Sequence, residues 1–261
     1  MPYQTLILGS PAAFIAEVRL NRPAAANALN RQMGKELTAV FKAFAQKNNN
    51  TRAVVLTGEG KHFCAGADLK ERKGMTKKAW QAQHAAFESA LFAILSCPIP
   101  VIAAVDGAAM GGGLELALAC DFIYASTAAR FALPEVSLGI IPGMGGTQTL
   151  PRAVGIRQAK EKLFSARPFS AEEAFRLGLV NRLCLPKTLT QESMEMATII
   201  AANAPLSVRA AKKAVQEGMG LPLRKALACE LLHYELLLDT KDRKEGIAAF
   251  NEKRKPVFTS S

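Results

Sequence analysis

The segment Ile99–Ala125, IPVIAAVDGAAMGGGLELALACDFIYA, switches hydrophobic period twice. Residues 99–105 form a continuous apolar run, the pattern of a buried strand, and Asp106-Gly107 marks the turn that ends it. Gly111, Gly112 and Gly113 then open a short helix over residues 112–119, built largely of Leu and Ala, and residues 122–125 return as a strand. Strand, glycine turn, helix and strand in so short a space predict an α/β fold. This is also the most apolar part of the chain. From Cys97 onward it is broken by Pro98, Pro100, Asp106, Gly107, the three glycines, Glu115 and Asp121, so an ordinary membrane span does not fit. Glu115 stands one turn into that helix, in apolar company. Such surroundings raise a carboxyl pKa and suit the group to proton transfer.

Outward from this stretch, the same alternation recurs. Residues 6–8 and 14–20 read as strands, 53–56 as a short apolar strand and 77–95 as a helix stopped before Cys97-Pro98. Residues 30–46 place Met33, Leu37, Val40, Phe41 and Phe44 on one helical face. The strand-strand-helix rhythm runs to about residue 185. Beyond it the pattern is almost wholly helical, over residues 189–202, 206–218, 223–239 and 241–253. We expect two parts, residues 1–190 and residues 191–261, joined without a flexible linker. Leu231, Leu232, Leu236, Leu237 and Leu238 are too many apolar residues for one exposed face, so the tail is expected to pack on something, a second subunit included.

Composition narrows the function. The 261 residues are 49% hydrophobic and 21% charged, enough to bury a core without disulfide or metal staples. The net charge of +11 attracts polyanions without choosing among them. The basic residues are spread along the chain, and the densest stretch, residues 241–255, also holds Asp242, Glu245 and Glu252. That is foremost a solvated surface, with phosphate attraction second and nucleic-acid binding third. Five cysteines, at 64, 97, 120, 184 and 229, form no CxxC pair, which argues against a disulfide framework and for a reducing compartment. His62, His84 and His233 show no HExxH-like spacing, so no metal is expected. The N-terminus has neither a signal-peptide nor a transit-peptide pattern. A cytoplasmic protein is expected; a processed mitochondrial matrix protein would look the same.

Two nucleotide motifs fail. Gly58-Glu59-Gly60-Lys61 is followed by His62 and has Val55 where a P-loop needs its first glycine; Gly143-Met144-Gly145-Gly146 is not GxGxxG. Three segments hold more: Phe63-Cys64-Ala65-Gly66-Ala67-Asp68-Leu69-Lys70, Met110-Gly111-Gly112-Gly113-Leu114-Glu115-Leu116, and Pro134-Glu135. Taken singly, each has a bland reading: tight turns for the glycines, a helix N-terminal charge for Glu115 and a cap for Glu135.

Taken together, with Leu20-Asn21-Arg22-Pro23, Asn27-Ala28-Leu29, residues 139–148 and Glu245-Gly246 through Phe250 and Lys253, these segments resemble the crotonase superfamily of enoyl-CoA hydratases and isomerases in both order and spacing. Ala67 to Arg72, Gly113 to Asp121 and Thr240 to Arg243 look most like the branch with 3-methylglutaconyl-CoA hydratase and short-chain hydratases. The resemblance implies a crotonase-type spiral of ββα units, then a helical C-terminal oligomerisation domain that makes trimers, paired into hexamers. It implies backbone N–H groups of Ala67 and Gly112 as an oxyanion hole, and Glu115 and Glu135 as the two acids of hydration. It places coenzyme A against the Asn21–Asn27 loop, Ala25 included, and against Ala65, Ala67, Asp68, Leu69, Lys70 and Gly112. Phe250 and Lys253 would reach the coenzyme A of a neighbouring subunit. One departure is Ala24, where many relatives carry a lysine, which removes one expected phosphate contact. Trp80, His84 and Phe87 would shape the acyl pocket. Cys64 reads as a small filler rather than a nucleophile with His62 as its base.

The activity so implied is reversible syn addition of water to a trans-2-enoyl-CoA, giving a 3-hydroxyacyl-CoA, with no cofactor beyond the coenzyme A of the substrate. Alternatives are 3-methylglutaconyl-CoA hydration or double-bond isomerisation. Simple isomerases of this family commonly keep only one of the two acids, so Glu115 with Glu135 favours hydration. RNA binding is the rival from another class, suggested by the charge and supported by no aromatic stacking motif. A catalytically dead scaffold is disfavoured, since both acids and both oxyanion positions are in place.

Overall fold

The computed structural model describes residues 3–46 and 48–261. Its main sheet has six strands in the order Leu6–Ala12, Ile15–Leu20, Ala53–Gly58, Val101–Val105, Phe122–Ser126 and Arg182–Cys184. The first pair is antiparallel and the rest are parallel. Parallel central strands are covered on both faces, which is why 53–56 and 101–105 read as unbroken apolar runs. Val54, Leu56, Val101, Ala103 and Val105 face the main core with Leu37, Phe41, Phe87 and Ile94. Val55, Ile102 and Ala104 face the other way, onto Leu189, Ala197 and Ala201. The helix Leu189–Ala201, the first beyond the change of period, therefore closes the second face of the sheet.

The helices follow the sequence closely. Arg31–Phe44 starts where the Asn30 side chain accepts from Met33 N–H at 2.9 Å, and it buries the expected Met33, Leu37, Val40, Phe41 and Phe44. Lys77–Leu95 is capped by Thr76 and ends before Cys97-Pro98. The strand expected from 99 begins at Val101, just after Pro100, which has no N–H to give a ladder.

A second, smaller stack positions the site. Ala108–Met110, Arg130–Ala132 and Phe169–Ser170 pair in that order. Each of the first two follows a strand of the main sheet after a tight turn, so the chain steps from one layer to the other and returns through a helix. Phe63-Cys64 joins this stack: Cys64 N–H donates to Ala108 O at 2.9 Å and Met110 N–H to Cys64 O at 3.0 Å. Leu29 pairs with Ala67 on its far side. Three loops distant in sequence thus end side by side.

The tail helices Pro205–Gly218, Leu223–Glu235 and Lys241–Asn251 follow. Lys212 pins the first to the sheet by bonding Asp121 Oδ2 at 2.7 Å and Ile99 O at 3.0 Å. Leu231, Leu232 and Leu236 are exposed in the single chain, so the packing expected of them is not made within it. No helix among the described residues is long and apolar enough to cross a membrane.

Candidate active site

The three-glycine turn is shaped by close approach. Gly111 has φ +50° and ψ −125°, and a Cβ there would lie 2.8 Å from Glu135 Oε1. Gly113 lies so near the preceding layer that a Cβ would sit 2.2 Å from Cys64 O. Only glycine lets the Gly112–Ala119 helix start this close to the Phe63–Ala67 loop. The result sets two backbone N–H groups near each other. An ideal Cβ on Gly112 would be 3.8 Å from Ala67 N. Leu29 N–H bonds Gly66 O and Asp68 N–H bonds Leu29 O, which passes over the Ala67 N–H between them. Gly112 is the first residue of its helix, so its N–H has no intrahelical acceptor and adds the positive end of the helix. Among the described residues neither N–H donates to the chain.

Glu115 is 2% exposed. Its Oε1 accepts from Met144 N–H at 2.7 Å and Gly146 N–H at 2.8 Å, where the 143–146 turn enters the Gly146–Val154 helix. Burial pushes its carboxyl up to about 7; the nearby Glu135 adds to the rise, and the two N–H donors and Arg72 oppose it. Glu135 opens the short turn Glu135–Leu138 and is 8% exposed. Burial raises its pKa as well, against the pull of the Arg72 guanidinium. Its Oε2 is buried without a hydrogen-bond partner. Unpaired buried polar atoms are rare, which sets this carboxyl apart from most other buried groups of the chain.

Both carboxyls open into one cavity of about 650 Å³, lined also by the Ala65–Ala67 loop, Leu69, Gly111 and Gly112 and by Trp80, His84, Phe87, Leu138, Ile140 and Ile141. Buried acids, free N–H donors and an apolar slot therefore share one space.

Comparison with known proteins gives the family. The enoyl-CoA hydratase/isomerase family profile matches residues 11–261. The chain belongs to that family. A crystal structure of an enoyl-CoA hydratase from Bacillus anthracis superposes with a TM-score of 0.97 at 41% identity, covering 99% of this chain and all (100%) of that one. The short-chain-enoyl-CoA hydratase of Clostridium acetobutylicum is 42% identical over 92% of each chain. The crotonyl-CoA hydratase of Syntrophomonas wolfei is 40% identical over the full length, 100%, of both.

Within this hydratase/isomerase fold, the residues singled out in sequence separate into groups. Glu115, Glu135, Ala65, Ala67, Leu69 and Gly112 line the cavity. Asp68 does not: it caps the Leu69–Arg72 helix and pairs with Arg22 at 2.9 Å, tying the first loop to the second. Lys70 is exposed beside it, and Ala25 ends the turn Pro23–Ala25. Asn27 is fully buried and donates to Glu59 O and His62 O, which holds that loop in place. Phe250, 84% exposed, and Lys253, just past the last helix, do not line the cavity within one chain. Cys64 is buried with its thiol pushed up to about 12 by desolvation, and His62 Nδ1 accepts from Ala108 N–H at 3.2 Å, so the pair forms no nucleophile.

Sequence reasoning gave no role to Arg72, Gln83, Met144 or Gly146. Arg72 lines the cavity, and its Nε donates to Gln83 Oε1 at 3.0 Å; Gln83 is fully buried. Its spacing four residues after Asp68 was the available signal. The donors to Glu115 had none, because a backbone N–H leaves no mark in a sequence.

Proposed function

We propose that the chain hydrates trans-2-enoyl-CoA thioesters through Glu115 and Glu135. The observation that carries this is that two buried carboxyls and two uncommitted N–H groups line one largely apolar cavity. The thioester oxygen sits on Ala67 N–H and Gly112 N–H. As the double bond is attacked, negative charge moves onto that oxygen, and donors fixed in place stabilise it by about 3 kcal/mol each. A water lies between the acids. One carboxylate takes its proton as the oxygen bonds the β-carbon, and the other carboxyl gives its proton to the α-carbon. Two carboxyls this close disfavour double ionisation, so the pair holds one proton and titrates as a unit. Two acids, rather than one, favour hydration over isomerisation. Purified protein with crotonyl-CoA should consume the conjugated enoyl absorbance and yield 3-hydroxybutyryl-CoA. Glu135→Gln should lower kcat by roughly 10²–10⁴-fold; an unchanged rate in that variant overturns the assignment.

Arg72 supports a narrower substrate. Its guanidinium lines the acyl cavity and makes no direct ion pair among the described residues, although the Glu71, Glu115 and Glu135 carboxyls all act on it, Glu71 most strongly. An acyl group with a second carboxylate, of the 3-methylglutaconyl type, would supply its partner two bonds beyond the β-carbon. Arg72→Met should then cut kcat/KM for the mono-CoA thioester of glutaconic acid, relative to crotonyl-CoA, by about 10- to 100-fold, the worth of a charged hydrogen-bonded pair. Equal losses on both substrates would assign Arg72 to holding the glutamates alone.

The exposed leucines of the tail support trimers, paired into hexamers, in which Phe250 and Lys253 reach a neighbour's coenzyme A. Five free cysteines, four of them buried, support work in a reducing compartment such as the cytoplasm.

A further inference from the structure

The helical tail holds a second group of chemistry-bearing side chains, with no residue in common with the acyl cavity. Cys229 and His233 stand four residues apart on the helix Leu223–Glu235, so they share one face. Glu217 comes from the facing helix Pro205–Gly218. His233 Nε2 lies 2.8 Å from Glu217 Oε2, and Cys229 Sγ lies 3.5 Å from the same atom. All three ligand atoms fall within 4.8 Å of one another. The other carboxylate oxygen, Oε1, faces Lys213 Nζ at 3.6 Å. Glu217 thus splits its two oxygens between an ammonium and the thiol–imidazole pair.

Thiol, ring nitrogen and carboxylate converge on one point. A soft sulfur, an imidazole and a carboxylate oxygen are a donor set suited to zinc(II), which binds such atoms at about 2.0–2.3 Å in a tetrahedron. Ligand atoms around that ion lie about 3.5 Å apart. The trio's spacings, 2.8 and 3.5 Å to the shared carboxylate oxygen with every pair within 4.8 Å, bracket that value.

We propose that Glu217, Cys229 and His233 form a zinc(II) site that clamps the helices Pro205–Gly218 and Leu223–Glu235 together, with water as the fourth ligand. The Glu217 side chain is 46% exposed and gives the ion its entry, while the His233 side chain is 11% exposed and anchors the inner side. Coordination releases the thiol proton to solvent, and His233 binds as neutral imidazole. The clamp has a structural use. The Leu223–Glu235 helix buries no residue within the chain, so a metal crosslink adds a tie that apolar packing does not supply. Reading ligand motifs along the chain passes over this site, because Glu217 joins Cys229 and His233 only through the helix pair.

Cobalt(II), a spectroscopic stand-in for zinc, tests this on the full chain. The wild type should bind one Co²⁺ with a thiolate-to-metal charge-transfer band and tetrahedral d–d bands, all displaced by Zn²⁺. Cys229→Ser should lose the charge-transfer band. Glu217→Gln should weaken binding by more than about tenfold, since even outer-shell partners are typically worth 10–100-fold. Zn²⁺ should raise the unfolding temperature of the wild type and of neither variant. A readout that needs no variant is alkylation: the four other cysteines are buried, so labelling of the native chain reports Cys229, and saturating Zn²⁺ should slow it at least tenfold. Absence of the charge-transfer band in the wild type, its persistence in Cys229→Ser, or an alkylation rate indifferent to Zn²⁺ overturns the site.

Discussion

The glycine-lined cavity and the helical tail treat buried surface in opposite ways. Around Gly111–Glu115 the side chains are buried: Glu115 is 2% exposed with two N–H donors on one oxygen, and the helix it rides buries Leu114, Leu116 and Ala117 completely. In the tail, Leu223, Leu227, Leu232 and Leu236 are more than half exposed. The first region buries its side chains within one chain. The second leaves several large apolar side chains in water within one chain. The contrast shows that Glu115, Glu135 and the Ala67 and Gly112 N–H groups are placed by packing inside the chain, whereas the tail leaves its leucines uncovered within one chain.

The comparison can be broken at its tightest point. Gly113→Ala places a Cβ about where Cys64 O now stands, 2.2 Å away, and backbone cannot yield cheaply. The helix start must shift and carry the Gly112 N–H with it. Displacement of a reacting geometry by about 1 Å costs roughly 10²-fold in rate, so kcat should fall by that order, with a lower unfolding temperature. Wild-type kinetics in Gly113→Ala would show that the close approach does not set the site.

A smaller effect sharpens the account of burial. Glu115 titrates near 7 in the folded chain against an ordinary 4.5. The folded state therefore holds more protons than the unfolded one between those values, and stability falls as pH rises from about 4.5 through about 7, then levels. Glu115→Gln keeps a carbonyl oxygen for the Met144 and Gly146 N–H groups and removes the charge. Its stability advantage over wild type should grow across that window, by a few kcal/mol at most. Parallel denaturant titrations at each pH measure it, and a constant difference would refute the burial account.

The tail should show the mildest change in chemistry. Leu232→Glu with Leu236→Glu adds charge to the exposed face and leaves the core untouched. Sedimentation should give the mass of a single chain, circular dichroism should be unchanged, and KM for the acyl-CoA should rise more than kcat falls. Assembly that survives both substitutions would place the contact elsewhere.

Much of this was legible beforehand for a physical reason. Helices Lys77–Leu95 and Gly112–Ala119 match the expected spans, because caps, prolines and glycines are local signals. The apolar runs at 53–56 and 99–105 announced buried strands, and the structure covers them on both faces. The two glutamates were legible only because each stands in a recognisable segment, twenty residues apart in sequence.

The sequence by itself determined the α/β order, the helical tail, the apolar setting of Glu115 and the glycines that the turn requires. These follow from period, propensity and local backbone limits. The tertiary structure alone decided that Leu29, Ala67, Gly112 and Glu135 converge, that Glu115 rests on the Met144 and Gly146 N–H groups, that Arg72 enters the cavity, and that Glu217 meets Cys229 and His233. Backbone donors carry no side-chain signature, and contacts between distant loops depend on how the layers stack.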